Sequence, residues 1–325
     1  MKLKRIVSLT LAGSCVVGAI ALGGCTGADS GLDKFENTER PNVEAAYSTR
    51  EEALAAGGGW YQTMNVNFDD NQMPEFWNCS PHGLRNTEYW CDNCVSFENG
   101  NCIIKAYKTD SNQCSVCPAS GEFTSGIETR KMVDGKSVPT WQQAFGYYEV
   151  RVKLPEADGM WAAFWLQSDY MGKIGNDGQD GSEIDVFESV FWNDENQHTN
   201  LGNCIHWDGY DKYHKSVGET TDTGINVYDG EYHTFGLRWS PTEYVFYVDG
   251  KAMWATNAGG VSKVPEFLRL TNEVRHGTGP YGVKLKEFSS TEENPGMFCI
   301  DWVHVYQNTA YEPFIQSDSD FAAAK

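Results

Sequence analysis

Three carboxylates stand within six residues of a β-branched and aromatic run, Gly181-Ser182-Glu183-Ile184-Asp185-Val186-Phe187-Glu188. Val, Ile and Phe at this density predict a strand. The side-chain period of two sends Glu183 and Asp185 to one face and Ile184 and Val186 to the other. Strict alternation would bury Glu188 unpaired beside the apolar residues, so a bulge near Val186 and Phe187 is expected to return it to the side of Glu183. Two long carboxylates leaning over a shorter one suit cleavage of a glycosidic bond. In that chemistry a nucleophile and an acid/base flank the scissile bond, about 5–5.5 Å apart when configuration is retained. Asp185, as neighbour of both, would share a proton and push their ionisation apart. A solvent-facing acidic strand is the competing reading, and the surrounding chain must decide between them.

The elements that must position these groups are β in character. From Trp60 onward short β-rich runs recur between Gly, Asn and Asp turns: 95–97, 102–107, 126–132, 146–153, 160–166, 182–191, 203–207, 232–239, 244–248 and 299–306. Helical periodicity is nearly absent, so the expectation is a single all-β sandwich or jelly roll. Glu149, Arg151 and Lys153 alternate with Val150, Val152 and Leu154, giving a strand with one apolar and one polar face. Trp161 and Trp165 flank Ala163 on one face of the next run, opposite Met160, Ala162, Phe164 and Leu166. Indoles beside acids suit a glycan cleft, because pyranose C–H faces cover an aromatic plane while the hydroxyls stay hydrogen-bonded. Burial of both indoles in the core is the alternative.

At the start of the chain, Lys2, Lys4 and Arg5 precede an apolar run from Ile6 to Leu22 that closes with Gly23-Gly24-Cys25. This reads as a secretory signal over 1–24. The small residues before Cys25 resemble the lipobox of bacterial lipoproteins, which implies lipidation of Cys25 and anchoring of the exported protein at the cell surface. Ordinary cleavage is the alternative. Residues 25–58 read as a polar tether carrying one helix near Ser48–Ala56, where Ser48 and Glu51 have capping-box spacing; a structural N-terminal arm is the other reading. The folded domain is expected over 59–312, with a short tail over 313–325. Losing the signal removes three cations and takes the formal charge from −20 to −23. So acidic a chain disfavours nucleic acid as a partner and suits a neutral polysaccharide. Membrane contact is expected only through the lipid, and a monomer is the default state.

Cys79, Cys91, Cys94, Cys102, Cys114 and Cys117 crowd into 39 residues, with Cys204 and Cys299 far downstream. An even number in an exported chain favours disulfides, Cys204 with Cys299 among the pairings, although spacing does not give connectivity. Cys91-x-x-Cys94 and Cys114-x-x-Cys117 also have the spacing of a four-thiolate zinc site.

Taken together, these segments resemble family 16 of the glycoside hydrolases, the group of laminarinases and lichenases. Phe145-Gly146-Tyr147-Tyr148-Glu149-Val150-Arg151-Val152-Lys153-Leu154-Pro155 is similar to the family's strand entering the cleft. Gly159 to Leu166 is similar to its Trp-rich strand, and Glu183 to Glu188 to its bulged catalytic strand. Tyr232 to Phe235, Tyr247 to Gly250 and Ile300 to Tyr306 match later strands in the family's order. The resemblance implies a β-jelly roll with a concave substrate cleft and a retaining double displacement. It makes Glu183 the nucleophile, Glu188 the acid/base and Asp185 the residue that tunes the nucleophile. It also places Trp161, Trp165, Arg151 and His206 at the subsites, and Asp301 with the backbone of Gly100 at a structural calcium; the chemistry itself requires no cofactor. One departure is the stretch Asn176 to Gly181, where many relatives carry a Trp and a Pro. The expected substrate is β-1,3- or mixed β-1,3-1,4-glucan. A β-galactan of agarose, carrageenan or porphyran type and a non-catalytic glycan-binding surface protein are the alternatives.

Overall fold

The computed structural model describes residues 30–192 and 194–322; the signal segment and Cys25 lie outside the described residues. Two sheets hold most of the strands. The smaller runs in the order Lys215–Asp222, Asn200–Trp207, Glu183–Ser189, Met160–Gln167, Phe267–Val274, Gly126–Glu128, Asn78–Cys79. The centre of the larger runs Lys251–Thr256, Tyr244–Val248, His233–Trp239, Gly146–Lys153, Gly296–Asn308, Asn101–Thr109. Neighbours within each of these two runs pair antiparallel.

The core between the sheets explains which way the acids face. Phe164, Leu166, Ile184, Val186 and Phe187 of the smaller sheet meet Val150, Val152, Phe235, Leu237, Ile300 and Val303 of the larger in one buried cluster. The Phe187 ring lies 4.5 Å from that of Phe235, centroid to centroid. Burying such a side chain contributes about 2–3 kcal/mol, so this face of the sheet is strongly specified. The alternating residues are thereby turned to the outer face. The result is the expected all-β jelly-roll sandwich.

Several boundaries differ from the sequence expectation. Residues 30–58 form a packed arm. Val43 joins Tyr147, Val245, Tyr247 and Ala255 in a second apolar cluster, and the Arg40 guanidinium holds Glu149 at 3.0 and 2.8 Å. Glu149, which alternation places on the polar face of its strand, is buried under this arm. The helix occupies Arg50–Ala55, and its capping box is formed by Thr49 and Glu52, one residue later than expected. The tail is docked as well: Glu312 pairs with Arg50, and the Gln316 N–H donates to the Lys263 carbonyl at 2.8 Å. The strands Phe267–Val274 and Lys215–Asp222 were not anticipated. The first carries Arg269, Asn272 and Glu273 buried in its middle, which reads as a surface loop without its neighbours. Among the described residues no helix is long and apolar enough to cross a membrane.

Candidate active site

The acidic strand pairs with Met160–Gln167 on one side and Asn200–Trp207 on the other. Both registers shift inside it, the second between Asp185 and Glu188. Val186 and Phe187 consequently both enter the core, and Glu188 returns to the face of Glu183 and Asp185. The bulge frees the Val186 carbonyl from the ladder. Asn203 Nδ2 donates to it at 2.6 Å, and the Thr221 hydroxyl in turn donates to Asn203 Oδ1 at 2.6 Å. A buried side-chain pair thus replaces the missing backbone partner.

All three carboxylates are buried. Glu183 Oε2 accepts from Gln167 Nε2 at 2.9 Å and from the Tyr210 hydroxyl. Glu188 Oε2 accepts from the Tyr281 hydroxyl at 2.5 Å. Asp185 Oδ2 lies 3.3 Å from His206 Nε2, while His206 Nδ1 is 2.8 Å from His214 Nε2. Burial, and after it the charge of Asp185, pushes both glutamates above the usual carboxylate range: Glu183 to about 7 and Glu188 to about 8. Both carboxyls therefore hold their protons more tightly than an exposed glutamate, on one face of one strand.

The indoles stand where alternation places them, with Trp165 paired to Asp185 on one side and Arg269 on the other. Each has a guanidinium over its ring: Arg269 at 3.9 Å from the Trp165 centroid, Arg275 at 4.8 Å from that of Trp161. Trp165 Nε1 donates to Thr271 Oγ1 at 2.9 Å. Trp161 Nε1 is buried without a partner among the described residues, and its ring belongs to the main buried apolar cluster. The Gly83–Leu84 and Tyr89–Trp90 hairpin contributes further: Arg85 Nε and Asn86 Nδ2 hold Glu273 at 2.9 and 2.6 Å, and Arg85 and Arg269 both lie over the Trp90 ring.

Of the expected site residues, Glu183, Asp185, Glu188, Trp161, Trp165 and His206 come together. Arg151 does not. It lies in the other sheet, ion-paired to Asp301 and stacked 4.7 Å from the Tyr232 centroid, because its strand pairs with Gly296–Asn308 and His233–Trp239. That ion pair also bears on calcium. The Asp301 carboxylate already carries a guanidinium, so a calcium ion there would share that carboxylate with Arg151, and Gly100 occupies a turn at φ +74° with its N–H on Asn71 Oδ1. Cys204 and Cys299 are in different sheets and both are thiols, Cys204 beside Asp185 and His206, Cys299 opposite Lys153. Sequence reasoning missed Gln167, Tyr210, Tyr281, Arg269 and Asn203. Gln167 follows Leu166 in alternation and was legible; the others come from distant segments with no spacing signal.

Residues 90–303 match the profile of glycosyl hydrolases family 16. The chain is 28% identical over 202 residues to a beta-glucanase of Rhodothermus marinus, covering 58% of this chain and 63% of that protein. It is 27% identical over 135 residues to the endo-1,3-1,4-beta-glycanase ExsH of Rhizobium meliloti (strain 1021), covering 41% of this chain but 24% of that much longer protein. In structure it is similar to the catalytic domain of an endo-1,3-beta-glucanase (laminarinase) from Thermotoga petrophila RKU-1. That likeness has a TM-score of 0.58 at 21% identity and covers 77% of this chain and 98% of that one. The matched span contains the bulged acidic strand, both indoles and the strands that flank them, and on that ground the chain belongs to glycosyl hydrolases family 16.

Proposed function

We propose that the protein is a retaining endo-glycoside hydrolase acting on β-1,3- or mixed β-1,3-1,4-linked glucan. The observation that carries this reading is the bulge at Val186 and Phe187, which sets Glu183, Asp185 and Glu188 on one buried face. In the first step the Glu183 carboxylate attacks the anomeric carbon as Glu188 passes its proton to the glycosidic oxygen, the C–O bond breaks and a glycosyl-enzyme ester forms. In the second, Glu188 takes a proton from water, the water oxygen attacks the same carbon, and Glu183 leaves as carboxylate. Asp185, beside His206, is the charged neighbour that raises the proton affinity of Glu188 before the first step. Trp161 and Trp165 stand beside the acids on the same face of the sheet, each with one ring face held by a guanidinium. The glucan choice draws on the relatives' named substrates. Attachment at the cell surface through Cys25 is part of the same proposal, supported by the charged start and apolar run that precede it.

The test is oligosaccharide release from laminarin, lichenan, agarose and carrageenan at equal protein concentration. We expect products from laminarin or lichenan, background release by Glu183→Gln, and a loss of roughly 10²–10⁴-fold in Glu188→Gln. Release from agarose or carrageenan instead would move the substrate to galactans. Binding to a polymer without products would replace the enzyme with a glycan-binding protein.

A further inference from the structure

One thiol, Cys204, stands beside the catalytic groups, and hydrolysis makes no use of it. It lies on the strand next to the acidic one, directly opposite Asp185, with His206 of the same strand opposite Glu183. Residues two apart on a strand share a face, so the thiol and the imidazole both point to the side of the acids. The Asp185 carboxylate, the Cys204 sulfur and a ring nitrogen of His206 all lie within 4.8 Å of one another. Asp185 Oδ2 and His206 Nε2 are 3.3 Å apart. That matches the edge, roughly 3.3–3.5 Å, that zinc–nitrogen and zinc–oxygen bonds set in a tetrahedral site. Room for the sulfur comes from the following strand: Gly218 pairs with Cys204, and a Cβ there would lie 3.0 Å from Sγ. All three side chains are buried. His214 Nε2 is 2.8 Å from His206 Nδ1, a contact that orients the imidazole and leaves its other nitrogen toward Asp185.

We propose that Asp185, Cys204 and His206 form an inhibitory site for a thiophilic divalent cation such as zinc, an inference that rests on the hydrolytic role given above. Carboxylate, thiolate and imidazole are the side-chain ligands that zinc takes. A thiolate beside an imidazole sets it apart from calcium and magnesium, which prefer oxygen. Binding exchanges a proton for the ion: the Cys204 S–H bond breaks, its proton leaves to solvent, and a sulfur–metal bond forms. Three protein ligands leave one position open, on the face shared with Glu183 and Glu188. Inhibition follows from charge. The ion occupies Asp185, the neighbour of both glutamates, and sets two positive charges where an oxocarbenium-like transition state must develop its own.

Binding is read first and without substrate, by titrating cobalt in place of zinc into reduced full-length protein and into Cys204→Ser. The other cysteines are common to both proteins, so the difference between the two spectra reports Cys204. We expect a thiolate-to-cobalt band in the near ultraviolet in the wild type for one ion more than the variant binds. His206→Gln, which keeps the thiol, should lose the same band, and His214→Phe should weaken the binding roughly 10–100-fold. Hydrolysis is read second, as the ratio of rates with and without zinc in the same protein. The wild type should lose its hydrolysis over the zinc concentrations that fill the site, Cys204→Ser should keep its own rate there, and calcium or magnesium should change neither. Identical cobalt spectra for the wild type and both Cys204→Ser and His206→Gln overturn the site. A cobalt band with hydrolysis insensitive to zinc overturns the inhibitory role. Absence of hydrolysis on every polymer overturns the proposed function and the inhibitory role with it, while the titration still decides the site.

Discussion

At the scale of the residue, the contact that most shapes the chemistry is the Tyr281 hydroxyl on Glu188 Oε2. Tyr281 sits in a left-handed backbone conformation, φ +55°, in a loop that crosses the acidic strand's neighbour. A Cβ added at Gly202, the residue opposite Glu188, would lie 2.1 Å from its ring, so glycine there makes room for the tyrosine. The hydrogen bond favours the ionised carboxylate and works against burial, which pushes Glu188 up to about 8. Glu188 must be protonated and Glu183 ionised to start the reaction, so kcat/KM should rise through the Glu183 ionisation near pH 7 and fall through that of Glu188 near pH 8. Tyr281→Phe removes a donor to the charged form. The alkaline limb should therefore move upward by roughly 0.5–1 pH unit, from a hydrogen bond worth about 1 kcal/mol. An unmoved limb in the pH profile would show that the phenol does not govern this proton.

At the scale of the element, the acidic strand depends on its bulge, and the bulge depends on Asn203. The Asn203 amide serves the Val186 carbonyl and accepts from Thr221, all of it buried. Asn203→Leu keeps similar volume but leaves that carbonyl and hydroxyl unpaired in a low-dielectric setting. We expect a loss of about 1–3 kcal/mol in denaturant unfolding. Activity should fall further than stability explains, because a relaxed bulge sends Glu188 toward the core. Normal turnover in a folded Asn203→Leu protein would mean that core packing of Val186 and Phe187 suffices to hold the register.

At the scale of the molecule, the arm before the first long strand is part of the fold. Arg40 makes a two-pronged contact with Glu149 and also meets the Tyr147 hydroxyl, which itself donates to Glu149 Oε1 at 2.6 Å. Removing the guanidinium leaves a buried carboxylate with one neutral donor. Arg40→Ala should lower the unfolding free energy by about 1–3 kcal/mol, less than for a fully buried pair because the guanidinium is partly wet. The shift belongs in the midpoint of chemical denaturation, with hydrolysis little changed, since this contact lies on the larger sheet, away from the acids. A midpoint equal to wild type would return the arm to the role of a tether.

Much of this protein was legible in local pattern. Alternation in Gly146–Lys153 and Met160–Gln167 located the strands and put both indoles on the face of the acids, because a side-chain period of two holds along a strand until a bulge interrupts it. The misplaced Glu188 announced the bulge by itself, since an unpaired acid in the core costs more than a kinked ladder. What tertiary structure alone decided were the partners brought in from far along the chain. Tyr210, Tyr281 and Arg269 reach the acids from segments whose own sequence carries no spacing, and Arg151, polar on a correctly read strand, belongs to the opposite sheet. Periodicity tells which residues share a face of a strand. Which sheet that strand joins is settled by pairing between distant segments, and so is what covers its face, as with Arg40 over Glu149.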